Sequence, residues 1–525
     1  MLRIYKYTLV LFASLFINMA VAQNTTLESG KAIKANPDNT TGRFALPSIN
    51  AFTMGMADVN SDNQPDLFIQ SDRWNPGTYL HLFKGYNDQN EPVFSEGKEV
   101  VIPFNDEGSN RGVLLENKKN EIWGFWGFGK SLKYGKYSKK ENSFSDLKTI
   151  EIKNLPRGFG HFGVVQLPTS EYLFLFTVAD STYKKYRMRG PTVTAYTPEG
   201  LWSHPIPKAG IYGAFVKDFK NGEIITKPLT SLKEAYYALE GYSLYQLNGK
   251  YYIISGTRLG NIHAYRIDMK NRSLSESLYL VNKQGVLQRN PAIHGASAYF
   301  KGTKGSGLIV SSEGGIYYYK DRGEANDEDN LVFEEPVHLQ QTNPDLYGSS
   351  LVVPNLVDWD GDDDLDIITG TSLGYIYFNE NVGDNKNPKF QDPVRIKAGG
   401  HEIYIQPGYN QDVQGPGESR WGYSCPTVVD WTGNGLPDIL TGDSRGKFNV
   451  YINTGTKTNP VLEPEHPLFI DGLDVHGTWR VRPGAGKMGN RMAYIILDND
   501  DEFHLYWQKD RYNLTDGGKL TIGDS

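Results

Sequence analysis

Three short segments carry oxygen-bearing side chains at alternate positions. Residues 57–69 read ADVNSDNQPDLFI, residues 357–370 read VDWDGDDDLDIITG, and residues 429–442 read VDWTGNGLPDILTG. The donors are Asp58, Asn60, Asp62 and Asp66; Asp358, Asp360, Asp362 and Asp366; and Asp430, Asn434 and Asp438, with Thr432 in place of a carboxylate in the third segment. Hard oxygen ligands at alternate positions of a tight loop suit Ca²⁺. The spacing opens like an EF-hand loop, but no glutamate stands at its twelfth position and the flanks read as strands. Calcium here is expected to be structural, tying a hairpin loop and offsetting repulsion among its carboxylates. An Asx-turn with no metal is the other reading.

A second group of residues could move protons and hold anions. Arg111, His161, Tyr242, His294, Tyr347, Trp421, Tyr423 and His476 recur just ahead of predicted strands, while Arg73, Trp74, Lys130, Arg258 and Arg445 fall in or near the loops that follow the next strand. Histidine and tyrosine exchange protons. Arginine pairs in bidentate fashion with carboxylate or sulfate, and aromatic rings stack on apolar sugar faces. The other reading is that the rings pack between sheets and the histidines are satisfied at strand ends.

The elements that must position these residues are repeats. The last two acidic segments continue alike, as TSLGYIYFNENVG from 371 and DSRGKFNVYINTG from 443. The unit is strand, acidic loop, strand, Gly-containing turn, strand. Weaker copies at 111–137, 158–177, 240–267, 293–319 and 476–507 keep the rhythm without the acidic loop. Eight such units predict an all-β fold, a single β-propeller of seven or eight blades, over residues 42–525. A pair of β-sandwiches is the alternative. Residues 23–41 read as a flexible leader or closing strand. In a propeller the acidic loops lie on one face, and the His, Tyr, Arg and Trp set collects on the other.

The acidic segments resemble the FG-GAP or VCBS repeat, which implies a calcium-loop propeller. More distantly, Tyr242 and Arg258 in 240–267, with His161 upstream and His294 downstream, resemble the sites of propeller-type ulvan lyases and related rhamnose–glucuronate lyases. That resemblance implies β-elimination on a uronate polymer. Arg258 would neutralise the carboxylate, Tyr242 would act as base or acid, and His161 or His294 would be its partner. Arg73, Trp74, Tyr347, Trp421, Tyr423, Arg445 and His476 would then bind the polysaccharide or oligosaccharide. A non-catalytic glycan-binding or adhesion propeller needs only the aromatic and cationic face. A glycoside hydrolase needs two carboxylates across the scissile bond; Glu240 and Glu313 are the candidates, without a clear pairing.

Composition narrows the field. The chain of 525 residues carries 56 Gly, 33 Tyr and 24 Phe, which favours short strands broken by turns over helices. A formal charge of -7 argues against general nucleic-acid binding. The single cysteine, Cys425, permits no internal disulfide and sits in an apolar strand pattern. Arg3 and Lys6, an apolar run from Leu9 to Met19, and Ala20–Ala22 read as a signal peptide cleaved near Ala22. A secreted or periplasmic monomer without a membrane span is therefore expected. No P-loop, dinucleotide fingerprint, zincin motif or nucleophile elbow is present.

Overall fold

The short aromatic-rich runs fold as the alternation predicts, into eight antiparallel meanders of four strands each. The structure, a computed structural model, describes residues 33–36, 41–46, 51–71, 77–102, 111–145, 147–179, 208–231, 234–235, 239–257, 260–291, 295–405, 421–478 and 480–523. Among these there is no α-helix. The first strands of units 1 to 8 are Ala51–Ala57, Gly112–Glu116, Phe162–Gln166, Glu240–Leu247, Ser297–Lys301, Val353–Val357, Cys425–Val429 and Gly484–Met488. Each pairs antiparallel with the next strand in sequence, and each meander continues outward to a fourth strand.

Packing between sheets decides how the units assemble. Units 1 and 2 share a core of Phe68 and Leu80 with Trp126 and Tyr137. Units 2 and 3 share Phe125 and Tyr134 with Phe162 and Phe174. Units 3 and 4 share Leu173 and Ile211 with Tyr242 and Tyr265. Units 4 and 5 share Tyr252 and Ala264 with Leu308 and Tyr317. Met54 and Leu67 of unit 1 then meet Phe300 and Ile309 of unit 5. The first strands of these five units follow one another around a closed ring, with Ser297–Lys301 returning to Ala51–Ala57. Full burial of one such side chain is worth about 1.5–3 kcal/mol, so every seam is a strong interface.

Units 6, 7 and 8 pack in a row instead. Ile368 and Ile376 meet Ile439 and Tyr451, and Leu440 and Val450 meet Tyr494 and Ile496. The outer side of this row stays open: Leu356 of unit 6 is 66% exposed, and Phe503 of unit 8 is 60% exposed. The protein is thus all-β and of the β-propeller class, but the expected single ring of all the units is corrected to a ring of five and a row of three. The cause is visible after unit 5, where the chain turns back. Gln340–Thr342 pairs with Thr41–Arg43 and, in parallel, with Pro92–Phe94 beside unit 1. Residues Lys34–Ser525 form one compact unit. No helix among the described residues is long and apolar enough to cross a membrane. The expected signal peptide, 1–22, lies outside the described residues.

Candidate functional site

The ring presents two ends. The acidic loop of unit 1 follows its first strand at one end, and the strand entries lie at the other. Three polar side chains gather at the entry end of units 2, 3 and 4. His161 directly precedes Phe162–Gln166, and its backbone carbonyl accepts the Thr177 N–H at 2.8 Å. Its Nε2 lies 3.9 Å from Glu240 Oε1, at ion-pair range, with side-chain exposures of 12% and 7%. Glu240 opens the first strand of unit 4, and its Oε2 accepts the Gly295 N–H at 3.2 Å. Arg111 directly precedes the first strand of unit 2. Its guanidinium passes beside Gly160, where an added Cβ would stand 3.7 Å from Nη1. A cation, an imidazole and a carboxylate on three neighbouring strands therefore share one rim.

Gly256 and Gly295 show how tightly this rim is built. A Cβ on Gly256 would lie 2.0 Å from the Gly295 carbonyl oxygen. Only bare backbone at both positions lets Gly295 N reach Glu240.

Tyr242, expected on the open face, belongs instead to the core between units 3 and 4. Gly241 takes φ +68° and the ladder slips between Glu240 and Ser243, a bulge that turns Glu240 to the rim and Tyr242 inward. The Tyr242 hydroxyl bonds Thr177 Oγ1 at 2.5 Å. Burial pushes its pKa well above the usual tyrosine range, which opposes its ionisation as a base. Behind it lies an axial cavity of about 430 Å³, walled by Met54, Leu114, Val164, Tyr242, Ser243 and Ala298 among others. Tyr242 thus stands between this cavity and the rim.

The remaining candidates divide between ring and row. Arg73, Trp74, Arg258 and His294 lie outside the described residues. Tyr347 packs against the core shared by units 5 and 1, with its hydroxyl buried. Trp421 and Tyr423 precede the first strand of unit 7, their rings edge to face at 5.5 Å. The Arg480 guanidinium sits 3.7 Å from the Tyr423 ring centroid. Tyr423 and Arg480 both take left-handed φ, +45° and +61°, a strain that local structure must hold in place. Arg445 donates from Nε to Asp443 Oδ2 at 2.9 Å and from Nη2 to Glu465 Oε1 at 3.1 Å, so its fork is already engaged within the chain. His476 is exposed and bridges to Lys447. Trp421, Tyr423, Arg445 and His476 belong to the row and do not join His161 on one rim.

Glu313, the other hydrolase candidate, is 2% exposed, and its Oε1 accepts the Ser350 and Ser372 hydroxyls. It is thereby tied to unit 6.

The acidic loops differ in how well they fit a cation. In unit 6, carboxylate oxygens of Asp358, Asp360 and Asp366 lie within 4.8 Å of one another. Asp360 Oδ1 is buried without a hydrogen-bond partner. Burial, with Asp362 and Asp358 close by, raises the Asp360 pKa. In unit 1, Asp58 spends its oxygens on the Ser61, Asp62 and Asn63 amides, and Asn60 bonds Asp62 side chain to side chain. In unit 7, Asp430 accepts Gly435 N and Asn434 accepts Leu436 N. Of the three loops only that of unit 6 gathers three carboxylates, and there Asp358 also accepts Gly361 N at 2.8 Å and faces Lys457 Nζ at 3.3 Å.

The last aspartate of each loop has a task the sequence did not reveal. Asp66 accepts the Val59 and Phe83 amides, Asp366 those of Trp359 and Asn381, and Asp438 those of Trp431, Thr432 and Asn453. All three are fully buried. Each staples its acidic loop to the segment that follows the third strand of its unit. Burial raises Asp66 and Asp366 to about 6. A further acidic group, Asp498, Asp500 and Glu502, is bridged by Lys519 Nζ at 3.3, 2.8 and 2.6 Å.

No protein-family model matches the sequence, and no curated protein matches it. Among solved structures, the chain is similar to the crystal structure of the GH43_1 enzyme from Xanthomonas citri complexed with xylose. That likeness has 10% identity and a TM-score of 0.35, over 55% of this chain and 92% of that one.

Proposed function

We propose that the protein is a carbohydrate-active enzyme, a polysaccharide lyase that cleaves a uronate-bearing polymer by β-elimination at the rim formed by Arg111, His161 and Glu240. The observation that carries this is the His161–Glu240 pair at 3.9 Å beside the Arg111 guanidinium. β-Elimination needs a cation on the uronate carboxylate, which acidifies the C5 proton, and a base to remove that proton. In this reading Arg111 faces the carboxylate, His161 takes the proton, and Glu240 orients the imidazole and stabilises its charged form. Arg258 and His294 stay candidates for the second cation and for the acid that protonates the leaving oxygen.

The hydrolase alternative asks for two carboxylates flanking the bond. Of its two candidates, Glu240 lies on the rim and Glu313 is buried against unit 6. Trp421 and Arg480, both half-buried on the row, are candidates for glycan contact outside the reaction centre, whereas Tyr423 is buried under the Arg480 guanidinium. We also propose that the loop from Asp358 to Asp366 holds a structural calcium ion.

The test is an ultraviolet time course on purified protein with a panel of uronic polysaccharides, ulvan included. Rising absorbance from an unsaturated uronate, lost in His161→Ala and Arg111→Ala, is expected. New reducing ends without that absorbance would assign hydrolysis. Neither signal, with retention of the protein in a glycan-containing gel, would assign a binding propeller.

A further inference from the structure

Where the ring meets the row, an arginine stands without an acid. Arg43 ends the strand Thr41–Arg43 and pairs with Gln340, two residues past His338. It is half-buried, and its guanidinium carbon lies 5.7 Å from the Tyr377 ring centroid. Among the described residues no carboxylate comes within ion-pair range of that guanidinium. The Asp392 carboxylate is committed to the backbone, where its Oδ2 accepts the Arg43 N–H at 3.0 Å. Arg395, opposite Tyr377 on the adjacent strand, shows the contrast. Its Nη1 donates to Glu402 Oε2 at 2.9 Å, and its guanidinium stacks 3.9 Å from the Tyr375 ring centroid.

Arg43 lines a crevice of about 10 Å³ between units 5 and 6. Its polar lining is Arg43, His338, Tyr347, Ser349 and Tyr377, with no carboxylate among them. Two of these residues offer hydroxyls that nothing else engages: Tyr347 Oη and Ser349 Oγ are buried without hydrogen-bond partners. Gly314 and Gly315 form one wall. A Cβ on Gly314 would strike Ser349 Oγ, and a Cβ on Gly315 would stand 3.3 Å from His338 Cε1. Hydroxyl and imidazole therefore flank the same two backbone residues. His338 lies against Tyr317, with ring centroids 4.5 Å apart. Burial, then the charges of Arg43 and Arg395, hold its pKa well below the usual histidine range. Glu313 stands outside the lining with its Oε1 taken by the Ser350 and Ser372 hydroxyls, and its charge reaches Tyr347.

A lining that holds a fixed cation and hydroxyl donors, and no acid, suits an anion. A space of about 10–15 Å³ admits one water-sized group, which is the size of a single carboxylate or sulfate oxygen. The rest of such a group would stay at the mouth, where Arg43, Tyr347 and Ser349 are partly exposed. A guanidinium binds these oxygens as a planar fork, and the charge strengthens each hydrogen bond. Water or a neutral sugar hydroxyl would serve the two hydroxyls but leave Arg43 without a counter-charge. We infer that the crevice is an anion subsite, in which Arg43 and the hydroxyls of Tyr347 and Ser349 take one carboxylate or sulfate group, free or carried on a polysaccharide. The subsite shares no residue with the rim of Arg111, His161 and Glu240. Only its polysaccharide source rests on the carbohydrate reading above.

The experiment titrates the full chain carrying Arg111→Ala, which silences the rim, with sodium sulfate, sodium glucuronate and glucose by calorimetry at fixed ionic strength. Saturable binding of sulfate, glucuronate or both, and none of glucose, is expected. Adding Arg43→Gln should weaken it about tenfold or more. Adding Tyr347→Phe keeps the guanidinium and should weaken it several-fold, which preserves the test where Arg43→Gln does not fold. Tighter binding of a uronate or sulfated oligosaccharide than of the free ion would assign the polysaccharide as the source, and equal affinity would assign the free ion. Crystals soaked in sodium selenate supply a second readout, an anomalous peak in contact with the Arg43 guanidinium. Equal heats for glucose and glucuronate, unchanged affinity in both variants, or a water alone beside Arg43 in the selenate crystals would overturn the subsite. Because the rim is disabled throughout, a chain without lyase activity would sink the proposed reaction and leave this result standing.

Discussion

His81 should make the ring sensitive to mild acid in a way that one substitution can isolate. It ends the third strand of unit 1, is 2% exposed, and lies against Phe44 with ring centroids 4.5 Å apart. Nδ1 donates to the Ser95 carbonyl at 2.9 Å, while Nε2 is buried without a partner. Burial lowers its pKa from 6.5 to about 4, against smaller raising effects from Ser95 and Glu96. The folded state therefore binds fewer protons than the unfolded chain between these values, and stability rises with pH there. The contribution is complete above pH 6.5 and is lost as pH falls toward 4. Between pH 7.5 and pH 4.5 the loss from this group is about 2.5 kcal/mol. His81→Asn keeps a donor near the Ser95 carbonyl but cannot take the proton. Its packing cost is constant with pH, so the difference between the two proteins should shrink by that amount on acidification. Denaturant midpoints measured from pH 7.5 to 4.5 report it. His338, which is also held well below the usual histidine range by burial and by Arg43 and Arg395, is present in both proteins and cancels. A constant difference across the range, or a His81 ring signal that titrates near 6.5 in the folded protein, would refute the reasoning.

Other expectations follow from the same geometry. Chelation should lower the melting temperature through the Asp358–Asp366 loop; calcium at a hundred times its Kd would add about 2.7 kcal/mol, and Asp360→Asn should remove most of the response. Asp438→Ala strands three backbone donors and should cost about 3 kcal/mol or more in unfolding experiments, equally with and without chelator. Gly256→Ala pushes on the Gly295 carbonyl and should reduce turnover in the ultraviolet assay at least tenfold while the far-ultraviolet spectrum stays all-β. Cys425 is buried, with its thiol pushed up to about 12, so a thiol reagent at pH 8 should label it only after unfolding.

The eight repeats were legible because strand, turn and aromatic rhythm are local properties. How the repeats close was not. The alternation in Ser297–Lys301 looks like that in Cys425–Val429, yet Phe300 packs on unit 1 while Cys425–Val429 packs within the row. That choice depends on contacts between residues far apart in sequence, such as Met54 with Ile309. The acidic loops were equally legible, but sequence made every aspartate a metal ligand. Asp66, Asp366 and Asp438 also anchor backbone amides that lie both before and after them, a role that spacing alone does not distinguish from coordination.

The rim was half legible, and the reason is a single glycine. The strand-entry position points Tyr242 to the open end and leaves Glu240 a hydrolase candidate without a clear partner. Gly241 at φ +68° puts a bulge at that entry. Tyr242 then fills the seam between units 3 and 4, and Glu240 meets His161. Under the proposed lyase reading, Glu240 at ion-pair range of His161 would stabilise the charge that proton abstraction creates on the imidazole. Tyr242→Phe should therefore spare most turnover, because it removes only a hydroxyl bonded to Thr177. Glu240→Gln should lower kcat about 100-fold or more, since a positioned base contributes roughly 10²–10⁴ and loses its orienting charge. The ultraviolet assay on the two variants separates the assignments. Loss of turnover in Tyr242→Phe with normal turnover in Glu240→Gln would return the chemistry to the tyrosine and sink the pairing drawn from the bulge.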